Sequence, residues 1–189
     1  MVGGTKTPGW SWGQYRDAWK ALSYHFLSCA SHDEAYTASV TQHGDGPQQP
    51  ERYVQEHHLF GFFYTGLATL EALHYGLFAM GALIKPQQLP MATEKNRRDI
   101  MPKYTFETFS TSFPAEALSF KLGALQDDQE WTTWNDTRNI LSHRMIPGRA
   151  FGLSNVGLGE AIWLNGIKID RGTTLSRREW LGRHLSEIF

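Results

Sequence analysis

One stretch of this chain gathers the residue types that acid–base and phosphate chemistry needs: Trp134-Asn135-Asp136-Thr137-Arg138-Asn139-Ile140-Leu141-Ser142-His143-Arg144. The His143 imidazole ordinarily titrates near neutrality, so it can take a proton from one oxygen and give one to another. Arg138 stays charged at any working pH and can hold phosphate oxygens through paired donors. Asn139 can orient a phosphate or fix the imidazole. On a helix Asn139 and His143 are four apart and share a face. Arg138 lies about 140° round from His143, so only its long side chain can bring the guanidinium near. Ile140 and Leu141 join Trp134 in an apolar seam. The polar residues therefore border that seam, where a cleft or subunit interface belongs. The plainer alternative is an Arg held in a core ion pair, with Asn139 and His143 hydrogen-bonded to a neighbouring helix.

The run Arg138-Asn139-Ile140-Leu141-Ser142-His143, on the fourth helix and preceded by long helices, resembles the HEPN superfamily: helical proteins marked by an Arg, a polar residue and a His some four to six positions on. The resemblance covers roughly residues 11–145. It implies a bundle of about four or five helices, commonly a homodimer with two motifs facing each other. It also implies metal-independent RNA cleavage with no cofactor. The RNA 2′-hydroxyl attacks the phosphate, His143 and Arg138 are catalytic with Asn139 beside them, and the products carry 2′,3′-cyclic phosphate and 5′-hydroxyl ends. An acidic residue on an earlier helix often contacts the motif Arg in this family. Glu71 suits that supporting role, because a buried carboxylate needs a partner and Arg138 is a natural one. Many members are non-catalytic binding modules, so an RNA- or protein-binding role is the alternative. The toxin branch often has a Tyr two positions after the His, where an antitoxin modifies it. Met145 stands there in this chain, which argues against that form of regulation, though an antitoxin or regulatory protein stays a candidate partner.

Charge gives a second pointer. Residues 1–137 hold ten Lys/Arg and fifteen Asp/Glu, whereas residues 138–189 hold eight and four. A basic C-terminal third on a chain of net charge −1 suits either a local anionic partner or an ordinary solvated surface. Arg144, Arg149, Lys168, Arg177 and Arg178 are the candidate RNA-phosphate contacts, with Arg171 and Arg183 nearby in sequence. Trp163 or Phe151 can stack on an unpaired base, although a hairpin also needs an apolar face.

The elements that must position these residues are mostly helical. The apolar positions Trp12, Tyr15, Trp19, Leu22, Phe26 and Cys29 mark a helix from a Ser11 cap to about Ala30. Gly44, Gly46, Pro47 and Pro50 then break the chain. A second helix runs from about Glu51 to Ile84, before Pro86, and is apolar nearly all round from Leu59 onward. Its length allows a membrane span, but Glu71 and His74 at its middle favour a helix buried by protein. Residues 85–114, with four prolines, read as a long surface connection containing at most a short helix. Further helices follow over Pro114–Leu125 and Asp127–Arg144. Beyond residue 150, Ala161–Leu164, Asn165-Gly166 and Ile167–Asp170 spell a hairpin. Ser176 and Glu179 then form a capping box for a helix to Phe189.

The expected architecture is thus a mainly α, single HEPN-like domain over residues 1–189. Its core covers about 11–145, and a hairpin-and-helix extension covers about 150–189. The lone Cys29 excludes an internal disulfide and reads as a small buried hydrophobe. Together with the lack of a leader-like start, this makes a cytoplasmic location the expectation. His57, His58 and His74 invite a metal, but the local ligand spacings are missing, so no metal is expected. No nucleotide loop or nucleophile elbow is present.

Overall fold

A computed structural model describes the backbone of residues 8–143, 148–154, 157–164 and 167–188, and the side chains of residues 11–141 and 169–188. The chain is mainly helical. Among the described residues there are seven α-helices: α1 (Pro8–His43), α2 (Gln49–Ile84), α3 (Glu94–Arg98), α4 (Pro102–Ser112), α5 (Ala117–Gln126), α6 (Gln129–His143) and α7 (Arg171–Ile188). Three strands lie between α6 and α7: β1 (Gly148–Ser154), β2 (Gly157–Leu164) and β3 (Ile167–Ile169).

The first helix is longer at both ends than its N-terminal aromatic pattern suggests. Pro8 occupies its first turn, where a missing N–H costs nothing. Beyond Ala30 the burial pattern continues through Asp33, Tyr36 and Val40 at intervals of three and four residues. The polar run Ser31–Glu34 hides this continuation, because Asp33 sits on the buried face as a paired charge. The helix ends at Gly44, whose φ of 74° is available to glycine without strain. Its N–H donates to the Val40 carbonyl at 2.9 Å, closing the last turn.

Helix α2 is long and apolar enough, by length and composition, to cross a membrane, and just over half of its most apolar stretch is buried within the protein. It ends as Lys85 N–H bonds the Gly81 carbonyl, directly before Pro86.

Two compact units share these long helices. Among the described residues, the first contains α1 as far as His25, Ala68–Asp128 and Ile188. Its core takes Ala18 and Leu22 from α1, and Leu70, Leu73, Leu77, Phe78, Ala79 and Ala82 from α2. Residues 85–114 are more than a surface connection here. Pro102 starts α4, and Thr105, Phe109 and Ser112 are buried along one side of it. Gly81 lets the Phe109 ring and the Leu89 side chain lie against bare α2 backbone, within about 3 Å of where a Cβ would stand. The prolines that suggest a loop thus punctuate a packed helix. In the following turn, the Ser119 hydroxyl donates to the Phe113 carbonyl at 2.7 Å, and the Lys85 ammonium donates to the Ser112 carbonyl.

The second unit contains Phe26–Leu67 and Gln129–Glu187. Its centre is Trp134, fully buried, with ring centroids 5.0 Å from Phe62 and 5.3 Å from Phe63. The six-membered ring of the indole lies over Gly66, where a Cβ would be 2.2 Å from Trp134 Cζ3. The strands form an antiparallel sheet in the order β1-β2-β3. Gly148 pairs with Trp163 at one end of β1–β2, and Leu164 pairs with Ile167 in β2–β3. The expected turn residues Asn165 and Gly166 lie outside the described residues.

Helix α7 starts five residues before the expected Ser176 cap. The Asp170 carboxylate accepts from Thr173 N–H at 2.9 Å, and the Thr173 hydroxyl oxygen accepts from Asp170 N–H at 3.2 Å. That is a reciprocal cap built from Asp and Thr rather than Ser and Glu. Ser176 lies inside the helix, with its hydroxyl donating to the Thr173 carbonyl. Trp180, Leu181 and Leu185 bury one side of α7.

Candidate functional site

Helix α6 carries the Arg-Asn-x-x-x-His run over its last two turns. Trp134 and Thr137, three apart, are buried, whereas Asn135 and Asp136 are exposed. Arg138 follows Thr137 by one helical step and is half-buried, as are Asn139, Ile140 and Leu141. Arg138 therefore borders the buried seam, with part of its surface open, as a residue must be if it is to meet a ligand. His143 closes α6, and of it the backbone alone is described. Glu71 is half-buried on α2 and belongs to the first unit, while Arg138 belongs to the second.

The five candidate phosphate contacts divide. Arg144 lies outside the described residues, and Arg149 and Lys168 are described only as backbone positions in β1 and β3. Arg177 is 6% exposed. Its Nε stands 2.6 Å from Glu130 Oε1, and its guanidinium lies 5.7 Å from the centre of the Phe63 ring. Burial thus removes Arg177 from the solvated rim where its sequence position suggests it belongs. Arg178 is partly exposed and reaches back to α1, with Nη1 3.1 Å from Asp33 Oδ2 and 3.6 Å from Glu34 Oε1. Asp33 is 3% exposed, and a carboxylate in that position needs such a partner.

This ion pair lines an open cleft of about 840 Å3, together with Asp45, Asp170, Arg171 and Leu175. Arg171 also donates to the Thr41 hydroxyl at 3.1 Å. The cleft mixes both signs of charge, and its two arginines are already engaged by protein groups.

The histidines sort differently from their sequence grouping. His74 is buried in the first unit, and its Nδ1–H donates to the Leu70 carbonyl at 2.8 Å. Burial pushes its pKa down to about 4, against a smaller opposing effect of that hydrogen bond. His57 and His58 are instead joined by His32 of α1, which no local spacing reveals. His32 Nδ1 lies 3.2 Å from His58 Nδ1. The ring centroids are 5.5 Å apart for His32–His58, 6.1 Å for His32–His57 and 5.2 Å for His57–His58. Gly61 makes this possible, since a Cβ there would fall 2.3 Å from His32 Cε1. Burial, followed by the neighbouring histidines, holds the His32 and His58 pKa values below the usual range.

Cys29 is fully buried, its thiol faces the Phe62 carbonyl, and burial pushes its pKa up to about 12. A thiol held in that state has little thiolate and so little nucleophilic character. Cys29 is a packing residue. No family model, curated protein or solved structure matches the chain.

Proposed function

We propose that the protein is a HEPN-type, metal-independent endoribonuclease acting as a homodimer. Arg138 and His143 are catalytic in this reading, and Asn139 and Glu71 support them. The observation that carries it is the Arg138–His143 run at the end of α6, with Arg138 half-buried beside the Trp134–Thr137 seam. His143 moves protons between the 2′- and 5′-oxygens, and Arg138 neutralises the crowded phosphate. The described helices α1, α2, α4, α5 and α6 stand for the bundle, and the β1–β3 sheet with α7 stands for the extension. Glu71 is the supporting acidic residue of this reading.

The second reading is a non-catalytic RNA- or protein-binding module. It is favoured by the engagement of Arg177 and Arg178 with Glu130 and Asp33, which leaves fewer free cations for a nucleic-acid track.

The two readings separate on one experiment. Wild-type protein and His143→Ala are incubated with a mixed RNA pool in EDTA, and product ends are analysed. The ribonuclease leaves 2′,3′-cyclic phosphate ends, and loss of the general acid–base lowers the rate by about 100-fold or more. A protein that binds the pool equally well in both forms and cleaves nothing is a binding module.

A further inference from the structure

We infer that the contact between α1 and α2 in the second unit is a proton-sensitive clasp, closed while His32 and His58 share a hydrogen bond and released when both rings carry an added proton. This inference does not rest on the ribonuclease reading and uses none of its residues.

His32 of α1 and His58 of α2 are both half-buried, and their Nδ1 atoms lie 3.2 Å apart. A hydrogen bond between two ring nitrogens needs one N–H and one bare lone pair. The neutral pair meets that need. A first proton leaves the bond intact, because it enters at Nε2 of the donor ring and makes that ring a charged, stronger donor. A second proton can enter only at the accepting Nδ1. Two N–H groups then face each other, and the bond is lost. The two charges also stand on rings with centroids 5.5 Å apart, and the His57 ring is 5.2 Å from His58 and 6.1 Å from His32. The His32 ring lies directly on the α2 backbone at Gly61, where a Cβ would fall 2.3 Å from Cε1. A charged His32 therefore reaches more water only by lifting off that backbone.

The charges that bear on His32 are those of His58 and His57, and the charge that bears on His58 is that of His57. No carboxylate is among them. Asp33 and Glu34, the next residues on α1, face Arg178 of α7 at 3.1 and 3.6 Å. On α2, Glu56 stands about 100° round the helix from His57, and the Tyr53 phenol stacks on His57 with centroids 6.3 Å apart. The Cys29 thiol, one turn before His32, is neutral. Burial, followed by the like charges, holds both rings below the ordinary value of 6.5. As pH falls below 6.5 the separated, solvated rings therefore take up protons first, and the open form gains population.

The turn between the two helices is tied independently, since the Gln55 side-chain amide donates to the Gly44 carbonyl at 3.0 Å and neither group titrates. Release is thus local to the part of the contact beyond that tie. Cys29 lies in that part, fully buried, with Sγ 3.6 Å from the Phe62 carbonyl of α2. As the only cysteine of the chain, it reports the opening.

The test is the rate at which an aromatic disulfide labels Cys29 in the full chain, divided at each pH by the rate in the urea-unfolded chain. Between pH 7.5 and 6.5 the ratio stays level. From pH 6.5 down to about 5 it rises, by up to about tenfold per pH unit for each proton that the open form gains. His58→Gln keeps a hydrogen-bonding side chain that cannot titrate, and it flattens the rise. His57→Gln removes a like charge and moves the rise to higher pH. Both variants retain His74, so destabilisation through that residue gives the same slope in all three proteins, and far-ultraviolet circular dichroism checks that each is folded. Nuclear magnetic resonance titration of the wild-type rings is the second measurement, and needs no variant: His32 and His58 titrate in two separate steps below 6.5. A labelling ratio that does not change with pH in wild type, an equal rise in folded His58→Gln, or both rings titrating together at the ordinary value overturns the inference.

Discussion

The ionisation of His74 is tied to folding in the physiological pH range. Its ring is buried and neutral in the native state, with a pKa near 4 against an ordinary value of 6.5. Because the folded value is the lower one, the unfolded chain binds the extra proton first. Stability contributed by the neutral ring is fully present above pH 6.5, falls as pH drops from 6.5 towards 4, and stops falling below that. The loss across this window is about 3 kcal/mol. Urea unfolding at pH 7 and pH 4.5 measures it, and His74→Leu should flatten that part of the profile. The same residue illustrates what a sequence withholds. His57, His58 and His74 look like one group along α2, yet His74 turns to its own helix's Leu70 carbonyl. His32, twenty-five positions before His57 on another helix, completes the histidine cluster. Only tertiary packing, released by the absence of a side chain at Gly61, brings it there. Cys29, by contrast, was legible as a buried hydrophobe from its type and position alone.

At the scale of elements, caps decide where helices start more than apolar periodicity does. Asp170 and Thr173 satisfy each other's backbone at the head of α7. Asp170→Ala should therefore cost about 1 kcal/mol, whereas Ser176→Ala should stay within about 0.5 kcal/mol. Thermal unfolding of the two variants distinguishes the observed cap from the one suggested by the Ser176–Glu179 spacing. The course of α2, its stop before Pro86 and the break at Gly44 follow from hydrophobic runs and strong punctuators, and these were readable. The second half of α1 and all of α4 were not, for related reasons. In α1 a charged residue occupies a buried position because Arg178 neutralises it. In α4 the prolines flank a short amphipathic helix whose Phe109 inserts against Gly81. In both places the partner lies far along the chain. The motif on α6 was legible as a polar run beside an apolar seam, but the burial of Arg177 depends on Glu130 and Phe63, which no local pattern links to it.

At the scale of the molecule, α1 and α2 each contribute residues to both compact units, which divide at residues 25/26 and 67/68. A break in one helix at that division is therefore a defect in two cores. Ala68→Pro removes a backbone donor in mid-α2 and clashes with the preceding turn, at a cost of about 3 kcal/mol or more. Amide hydrogen exchange should then quicken in α4 and α5 of the first unit and in α6 and α7 of the second. Faster exchange confined to one set would show that each unit holds its own half of α2 independently.

The contact between Gly66 and Trp134 also limits how this sequence can change over generations. Any side chain at position 66 meets the indole, and a smaller ring at position 134 leaves a hollow beside Phe62 and Phe63. Neither position can drift alone without loss, so a lineage that alters one must pass through a weakened intermediate or change both together. The order of substitutions, and not merely their identity, governs which descendants of this chain remain folded.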